Sequence, residues 1–370
     1  MYGGRKSLLS NQVLHKIIKD IERISGAQCS VWNMEGKCIA GVENTTAVMS
    51  REVQEVIEDV AWLTMKSVDK NVYFVVSDEG VPVQILALKD YKGDCQLVGE
   101  MAVSQLENLQ QAYKEHLDKN RFIQNLLLDN LLLADIYNQA KRLHVESDTK
   151  RAVFLIEPKT SDDAMVMEML RGIYAGDTKD FVTAVSEGSM ILIKALEESE
   201  GYEALLKIAK TIVDMMETEA MVNVRVAYGT IVNELKDVSK SYKEAGMALD
   251  VGRIFYAERS VLAYNELGIG RLIYQLPVSL CEMYLQEVFE GKCVDQFDEE
   301  TIAAVNKFFE NNLNISETAR QLYLHRNTLV YRLEKIQKMT GLDVRTFDDA
   351  LTFKIAMMVS EHLKFLKQRE

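Results

Sequence analysis

The stretch NLNISETARQLYLHRNTLVYRLEKIQKMTG, residues 312–341, decides how this chain is interpreted. Ser316 is a good N-cap for a first helix beginning at Glu317. After a link at residues 323–325, Arg326 starts a second helix. Two short helices joined by a turn of about three to four residues form a helix-turn-helix. The pattern therefore predicts this motif near the C-terminal end.

The predicted second helix has an apolar side and a polar side. Leu329, Leu333 and Ile336 form the side expected to be buried, and Gly341 suits the left-handed position that closes the helix. The first residues of a recognition helix meet base edges in the major groove, where Arg pairs with guanine and Asn with adenine. We assign candidate DNA contacts to Ser316, Thr318, His325, Arg326, Asn327, Thr328, Tyr331, Arg332 and Lys335.

Within this set, Arg326 and Asn327 are expected to read bases. Thr328, Tyr331 and Arg332 are expected to hold the DNA backbone, because hydroxyls and cations bond phosphates. The alternative is a helical hairpin with a solvated polar face and no DNA target.

Composition, charge and hydropathy limit the class of protein that this chain can be. It has 370 residues, of which 48% are apolar and 27% charged, the profile of a soluble protein of two or three domains. Residues 301–370 carry 11 Lys and Arg against 8 Asp and Glu, whereas the other 300 residues carry 32 against 48. No apolar run reaches the ~18 residues of a membrane span, and the first residues do not form a secretory signal. We expect a cytoplasmic protein with no membrane partner.

Cysteine and histidine give no sign of a metal site. The five cysteines contain no CxxC pair and the five histidines are dispersed along the chain. We expect free thiols, no metal and no cofactor.

The first hundred residues alternate helix-like and strand-like patterns. A helix is predicted over 8–24, a hairpin around 34–37, a second helix over 50–66, and strands over 72–77, 83–89 and 95–103. This order describes an α+β sensor-like domain with helices on one face of its sheet.

A small ligand is expected near residues 35–52. If that ligand is anionic, Ser50 and Arg51 at the start of the second helix are its candidate contacts; the alternative is an ordinary N-cap beside a solvated cation.

Residues 104–142 read as one continuous helix without Gly or Pro. The alternative is two helices with a break near residues 118–120. A recognition helix usually works in a dimer, so we expect a homodimer or higher oligomer. One candidate seam runs along this helix, with Asn120 near it fixing the register: Leu106, Leu109, Tyr113, Leu117, Ile123, Leu127 and Leu131. The alternative is that this stripe packs inside its own chain.

Residues 151–275 alternate strands and helices, including a hairpin that turns at residues 186–189, and predict an α/β sandwich with a mixed sheet. The expected organisation is α+β and multidomain. It comprises a sensor-like domain (1–103), a helical linker (104–150), an α/β sandwich (151–275) and an all-α helix-turn-helix domain (276–370).

The run SETARQLYLHRNTLVYRLEKIQKMTGLDV, with HRNTLxYRLxxI at its centre, resembles the C-terminal helix-turn-helix of the CdaR/PucR family. These proteins regulate carbohydrate diacid and purine catabolism. DDALTFKIAMMV is similar to that family's closing helix. RAVFLIEP and YGTIVNELKDVSKSYKEAGMALDVG resemble its degenerate GGDEF-like middle domain.

LLSNQVLHKIIKDIERI and VWNMEGKCIAGV resemble the opening of the family's sugar-diacid recognition domain. The family then shows an Arg-Ile-Gly segment and a His, whereas residues 41–53 here have neither and Arg51 is the nearby cation. The resemblance implies a transcriptional regulator that binds operator DNA and responds to a small effector, a sugar diacid or related carboxylate.

Two other functions compete with this one. A GGDEF-type domain can be a nucleotide cyclase, but that chemistry needs a Gly-Gly turn for phosphates and carboxylates for magnesium, and the corresponding hairpin reads Ser186-Glu187-Gly188-Ser189. We therefore predict no enzyme activity. A protein-interaction scaffold without a DNA target is the remaining alternative.

Overall fold

The computed structural model describes residue 9 and residues 11–41, 47–60, 64–68, 70–89, 93–159, 163–176, 179–289 and 297–369. The chain divides into two compact units, residues 1–122 and 123–370. Both units contain a sheet and helices, so the predicted α+β class is confirmed. The sequence-based division at residues 103, 150 and 275 stays a prediction.

The first unit alternates helices and strands in chain order: α1 (Asn11–Ser25), β1 (Gln28–Asn33), β2 (Cys38–Gly41), α2 (Ala47–Asp59), β3 (Met65–Val68), β4 (Asn71–Asp78), β5 (Val81–Lys89) and α3 (Cys95–Leu127). The strands form an antiparallel sheet in the order β2-β1-β5-β4-β3. The hairpin near residues 34–37 and the strands near 72–77 and 83–89 are confirmed. Gly26, in the left-handed region with φ +73°, ends α1 as predicted.

Helices cover both faces of this sheet, so the prediction of helices on one face is wrong. Phe74 and Leu86 pack in the core formed with α1 and α3. Tyr73 and Ile85, their neighbours along β4 and β5, pack on the opposite side with Val53 of α2. Neighbouring side chains on a strand point to opposite faces, so these nearly unbroken apolar strands need a cover on each side.

The strand predicted over residues 95–103 is wrong, because this segment is the start of α3. Ala102 and Leu106, four residues apart, are buried against the sheet at helical spacing. Gly99 lies against the ring of Phe74, where an added Cβ would come within 2.0 Å of a ring atom. A short apolar run fits a strand or a helix, and this tertiary contact favours the helix.

The helix predicted over 104–142 is neither continuous nor broken near residues 118–120. Helix α3 ends at Leu127, and a second helix, α4 (Leu133–Arg142), begins after a turn. Asp129 in this turn has a left-handed φ of +62°, a conformation that Asp tolerates better than most residues. Its carboxylate accepts hydrogen bonds from Lys243 Nζ at 2.8 Å and Ser239 Oγ at 3.4 Å. These contacts with residues far away in sequence determine where the predicted helix is interrupted.

The predicted dimer seam along α3 cannot contact a second copy over its whole length, because part of it is buried. Leu106, Ile123 and Leu127 are buried within their own chain, as the alternative interpretation expected. Tyr113 and Leu117, in the middle of α3, are the seam residues that remain exposed. Of the seam residues, these two are therefore the most open to a twin helix.

The second unit continues after α4 with a strand-rich part and then a run of helices: β6 (Arg151–Pro158), α5 (Asp163–Tyr174), β7 (Phe181–Ser186), β8 (Ser189–Ala195), α6 (Tyr202–Thr218), β9 (Val224–Tyr228), α7 (Val238–Phe255), β10 (Val261–Ala263), α8 (Gly270–Tyr274), α9 (Val278–Phe289), α10 (Glu299–Glu310), α11 (Ile315–Gln321), α12 (Arg326–Thr340) and α13 (Phe347–Arg369). Short 3₁₀ turns precede α7 and follow β10. The sheet order is β10-β9-β6-β8-β7, with β9 and β10 parallel and the other pairs antiparallel. The predicted mixed sheet and the hairpin at residues 186–189 are confirmed.

Helices α5 and α6 cover one face of this second sheet and α7 covers the other. Helix α7 comes close to β9 at Gly229, where a Cβ would lie 2.0 Å from the main-chain oxygen of Ser241. The Ser241 hydroxyl in turn donates to the Thr230 oxygen at 2.8 Å and accepts from the Val153 amide at 3.1 Å. Glycine is therefore required at this approach.

The last helix, α13, packs on α7, α8 and α9 of the same unit. His362 is fully buried, with Nε2 at 3.3 Å from the Leu276 oxygen and its ring 5.6 Å from that of Tyr274. The Tyr274 hydroxyl donates to Asp250 of α7 at 2.7 Å. The helix that closes the C-terminal region is thus joined to α7 through the ring contact of His362 with Tyr274 and the hydrogen bond from Tyr274 to Asp250.

Candidate DNA-binding surface

The first helix of the motif, α11, begins at Ile315 rather than Glu317. Asn314 is its N-cap, because its Oδ1 accepts a hydrogen bond from the Glu317 amide at 3.1 Å. The prediction of Ser316 as N-cap is wrong; Ser316 lies exposed in the first turn. Asn and Ser are both preferred capping residues, so spacing alone could not decide between them.

Thr318 is fully buried, which contradicts its assignment as a DNA contact. Its Oγ1 donates to the Asn314 oxygen at 2.8 Å and accepts from Asn311 Nδ2 at 3.3 Å. The hydroxyl is therefore satisfied inside the protein, where it fixes α11 to the end of α10.

The link between α11 and α12 is short and conformationally specific. Tyr323 adopts a left-handed φ of +54°, and the Leu324 amide donates to the Ala319 oxygen at 2.9 Å. His325 is the N-cap of α12, with Nδ1 accepting from the Asn327 amide at 3.3 Å. The Tyr323 side chain is 97% exposed, so the turn projects an aromatic ring outward.

The apolar side of α12 is buried as predicted. Leu329, Leu333 and Ile336 are at most 1% exposed and pack in one core with α10, α11 and α13. Gly341 closes the helix with φ +82°. This packing fixes which side of α12 faces outward.

The outward side of α12 brings together four of the predicted DNA contacts. Arg326, Asn327 and Thr328 are exposed in its first turn, and Tyr331 is 65% exposed one turn later. Among the described residues, the Arg326 guanidinium has no ion-pair partner. One surface thus offers a guanidinium, an amide and two hydroxyls, the groups that bond base edges and phosphates.

Arg332 and Lys335, two of the three cations further along α12, are instead engaged within the protein. Arg332 pairs with the Glu300 carboxylate, its Nη1 donates to the Glu300 main-chain oxygen at 3.2 Å, and its side chain is only 19% exposed. Lys335 pairs with Asp298 Oδ2. Both acids lie at the start of α10, so the structure brings these cations to carboxylates of the same domain.

Sequence reasoning missed Tyr323, Asp298 and Glu300. The run Asp298-Glu299-Glu300 before an apolar repeat is a recognisable helix start, since acids favour the first turn. It carries no sign of which cations it meets. Tyr323 was assigned only to the link, and an aromatic residue at an exposed turn was the available signal.

The candidate ligand contacts in the first unit lie on α2. The helix predicted over 50–66 occupies Ala47–Asp59, and β3 begins at Met65. Ser50 is therefore inside the helix, so the N-cap interpretation is wrong; its side chain lies outside the described residues. Arg51 is exposed.

The next residue of α2 points toward the sheet. Glu52 is buried, and its Oε2 accepts from Asn71 Nδ2 at 2.9 Å and from the Tyr73 hydroxyl. Burial and then the neighbouring carboxylate raise the pKa of Tyr73 above its ordinary value. The buried polar group on this side of α2 is thus an acid rather than a cation.

A groove of about 780 Å³ lies between α1 and α3 of the first unit. Ile21, Val98 and Met101 are among the apolar side chains that line it. This concavity lies outside residues 35–52, where the sequence placed the ligand.

The β7–β8 hairpin does not carry the features a cyclase needs. The Gly188 amide donates to Asp163 Oδ2 at 2.7 Å, so a carboxylate of the protein already occupies the turn where a phosphate would bind. Within the described ranges, no group of three or more His, Cys, Asp or Glu side chains could hold a metal ion. The described helices also include none long and apolar enough to cross a membrane.

Two segments match known domains. Residues 301–359 match the PucR C-terminal helix-turn-helix domain, and residues 130–251 match the GGDEF-like domain. The first match covers α11 and α12 with the helices that support them, and the second covers the central sheet.

Similar proteins were found along most of the chain. It is 24% identical over 382 residues to the carbohydrate diacid regulator of Escherichia coli (strain K12), covering 95% of this chain and 98% of that one. It is 24% identical over 170 residues to the purine catabolism regulatory protein of Bacillus subtilis (strain 168), covering 45% of this chain and only 32% of that longer relative. The crystal structure of a regulator of polyketide synthase expression from Bifidobacterium adolescentis aligns over 66% of this chain and 97% of its own, with 16% identity and a TM-score of 0.33.

Proposed function

Because the chain is a CdaR/PucR-like protein with a PucR-type helix-turn-helix domain, we propose that it is a sequence-specific DNA-binding transcriptional regulator that responds to a small metabolite. Operator DNA is the macromolecular partner in this proposal. A cytoplasmic location is part of it, since the operator would be there. We propose no enzymatic step.

The observation that carries the proposal is the exposed first turn of α12. Arg326 and Asn327 stand side by side on a helix whose other side is locked in a core. A rigid helix end with free donors can enter the major groove, where Arg reads guanine and Asn reads adenine through paired hydrogen bonds. Thr328, Tyr331 and the exposed Ser316 would bond the DNA backbone beside them, and His325 would position the helix start through its cap.

Operator selection tests this proposal. Duplexes bound by the full chain are enriched from a random library, and the consensus is compared with that of Arg326→Ala. We expect the variant to lose ~1–3 kcal/mol of operator affinity and to tolerate any base at one position. Arg171→Ala, which removes the same charge from an exposed site on α5, should leave the consensus unchanged. An unchanged consensus in Arg326→Ala would refute the base-reading role.

For the effector we propose a carboxylate, by analogy with the carbohydrate diacid regulator that the chain resembles. Arg51, exposed on α2, is the candidate contact for the carboxylate, with Ser50 beside it in sequence. The full chain is screened by thermal melting against dicarboxylates and the corresponding neutral sugars. A ligand that binds the folded state raises the melting temperature, so only the carboxylates should do so.

The proposal includes a homodimer or higher oligomer. A single recognition helix contacts only a few base pairs, and two such helices about one DNA turn apart solve this limit. Tyr113 and Leu117, exposed on α3, are candidate contacts for a second copy. Light scattering at micromolar concentration with and without operator DNA is the measurement, and a monomer in both conditions would exclude this part.

A further inference from the structure

The start of α10 and the second half of α12 meet through two ion pairs. Glu300 binds Arg332 twice, through its carboxylate and through its main-chain oxygen, the latter at 3.2 Å from Nη1. Asp298 binds Lys335 through Oδ2. These contacts join residues 32 and 37 positions apart in sequence. We call Asp298 and Glu300 the acidic clamp.

The Asp298 carboxylate is held from both of its oxygens. Oδ1 accepts from the Thr301 amide at 2.8 Å as the N-cap of α10, which leaves Oδ2 for Lys335. Hydrogen bonds from Lys335 and Thr301 keep the pKa of Asp298 well below its ordinary value. The start of a helix also favours a negative charge. Lys335 therefore faces a carboxylate that stays ionised and whose orientation is fixed by its hydrogen bonds.

The clamp divides the three cations of α12 that were assigned as DNA contacts into two classes. Arg326 stands exposed at the first turn, whereas Arg332 and Lys335 already have carboxylate partners. Sequence-independent DNA binding comes from cations that neutralise phosphates and release counterions. A phosphate that takes Arg332 must displace Glu300, and the displaced carboxylate would then lie beside the phosphate and repel it.

Resting on the DNA-binding function proposed above, we propose that the acidic clamp withholds Arg332 and Lys335 from DNA phosphates and so determines specificity. Binding then depends on the base-reading first turn of α12, and DNA without the right bases is held weakly. Asp298 and Glu300 act through the two cations and are positioning residues.

The test is the salt dependence of binding to a random-sequence duplex and to the selected operator, measured by fluorescence anisotropy between 50 and 200 mM salt. In the Asp298→Asn, Glu300→Gln double variant both cations lose their carboxylate partners, and Arg332 keeps only its bond to the main-chain oxygen of residue 300. Asn is itself a good N-cap, so α10 keeps its cap. Two added phosphate contacts steepen the slope of log K against log salt by up to ~1.8, which is about a tenfold larger affinity change across this range. The preference for operator over random duplex should fall.

A matched control and a double-mutant cycle separate this effect from a change in net charge. Glu310→Gln removes the same charge from α10, but Glu310 pairs with Lys307 at 2.8 Å rather than with α12, so its slope should stay at the wild-type value. Arg332→Gln should change the slope little in the wild type. In the Glu300→Gln background it should return the steepened slope to the wild-type value.

The outcomes distinguish this inference from the proposed function. If the wild type binds duplex DNA and the double variant shows the same slope, or Glu300→Gln matches Glu310→Gln, the clamp is refuted and the DNA-binding function stands. If the wild type binds no duplex at any salt concentration, both are overturned. The single variants, whose other clamp pair is intact, give the same answer if the double variant does not fold.

Discussion

Helices α12 and α2 each carry an exposed arginine near their start, and the surroundings of these two cations differ. Arg326 of α12 stands with Asn327, Thr328 and Tyr331 on one outward surface. Arg51 of α2 is followed by Glu52, which turns inward and bonds the sheet. A rigid polymer such as DNA can be read by side chains that project outward from one helix, whereas a small ligand needs groups that converge. Helix α12 has the outward-projecting set of side chains that DNA reading needs. Among the described residues of α2, Arg51 is a single cation without converging partners that bind a small ligand.

The largest effect is expected when α12 loses the core that supports it. Leu329→Ala removes a fully buried side chain from the core that fixes the outward side of this helix. We expect a loss of ~2–5 kcal/mol in the free energy of unfolding and loss of operator binding. Leu351→Ala, on the 43% exposed Leu351 of α13, is the matched control and should change little. Denaturant unfolding followed by circular dichroism measures both, and equal losses in the two variants would contradict this account.

A smaller loss of stability is expected from a substitution in the sheet beside α2. Tyr73→Phe removes the hydroxyl that donates to buried Glu52, which leaves the carboxylate with Asn71 as its described partner. We expect a loss of ~1–3 kcal/mol in stability, because a buried acceptor loses a donor. Tyr113→Phe, at the exposed Tyr113, should be neutral in the same unfolding experiment. If Tyr73→Phe were equally neutral, the Glu52 contact would not contribute to the fold.

These two regions also show what could be predicted from sequence. The surface of α12 was predictable because its residues are neighbours in sequence and its buried side repeats at helical spacing. The clamp was not, since Glu300 and Arg332 lie 32 residues apart and only packing brings them together. Thr318 was misassigned for the same reason, because its burial depends on α10.

The errors in the first unit have a similar origin. Residues 95–103 fit either period, and the contact of Gly99 with the Phe74 ring is what favours a helix. The second covered face of the sheet could have been predicted from the sequence, since residues 83–88 read VQILAL and only Gln84 among them is polar. Such a run needs cover on both faces.

A pH experiment examines the support of α12 further, because α13, which packs in the same core as α12, carries a buried histidine. Burial lowers the pKa of His362 below its ordinary value of about 6.5. Above that pH His362 is neutral in both the folded and the unfolded chain. As the pH falls below about 6.5, the unfolded chain takes up the proton first, so folding loses stability down to the folded-state pKa.

His362→Gln should flatten this acid-side loss, since Gln keeps a donor for the Leu276 oxygen but does not titrate. The measurement is the unfolding midpoint between pH 5 and 8, with His116→Gln as the control for a histidine on the first unit's long helix α3. We expect a smaller effect than for Tyr73→Phe, and parallel pH curves for wild type and His362→Gln would contradict it.

The smallest effect is expected at Arg51. Arg51→Gln should leave the free energy of unfolding within about 0.5 kcal/mol, because the side chain is exposed and Gln is a good helix former. An exposed ion pair contributes roughly 0–1 kcal/mol, so a carboxylate effector should lose no more than about fivefold in affinity. Calorimetric titration of the full chain with a carboxylate that raises its melting temperature measures this loss.

Glu55→Gln, an exposed position of α2 with the opposite charge, is the control and should not weaken carboxylate binding. Equal affinity of wild type and Arg51→Gln would remove Arg51 from the effector site. A loss of several orders of magnitude would instead mean that this cation lies in a convergent site like those that enclose small ligands, and the contrast with α12 would disappear.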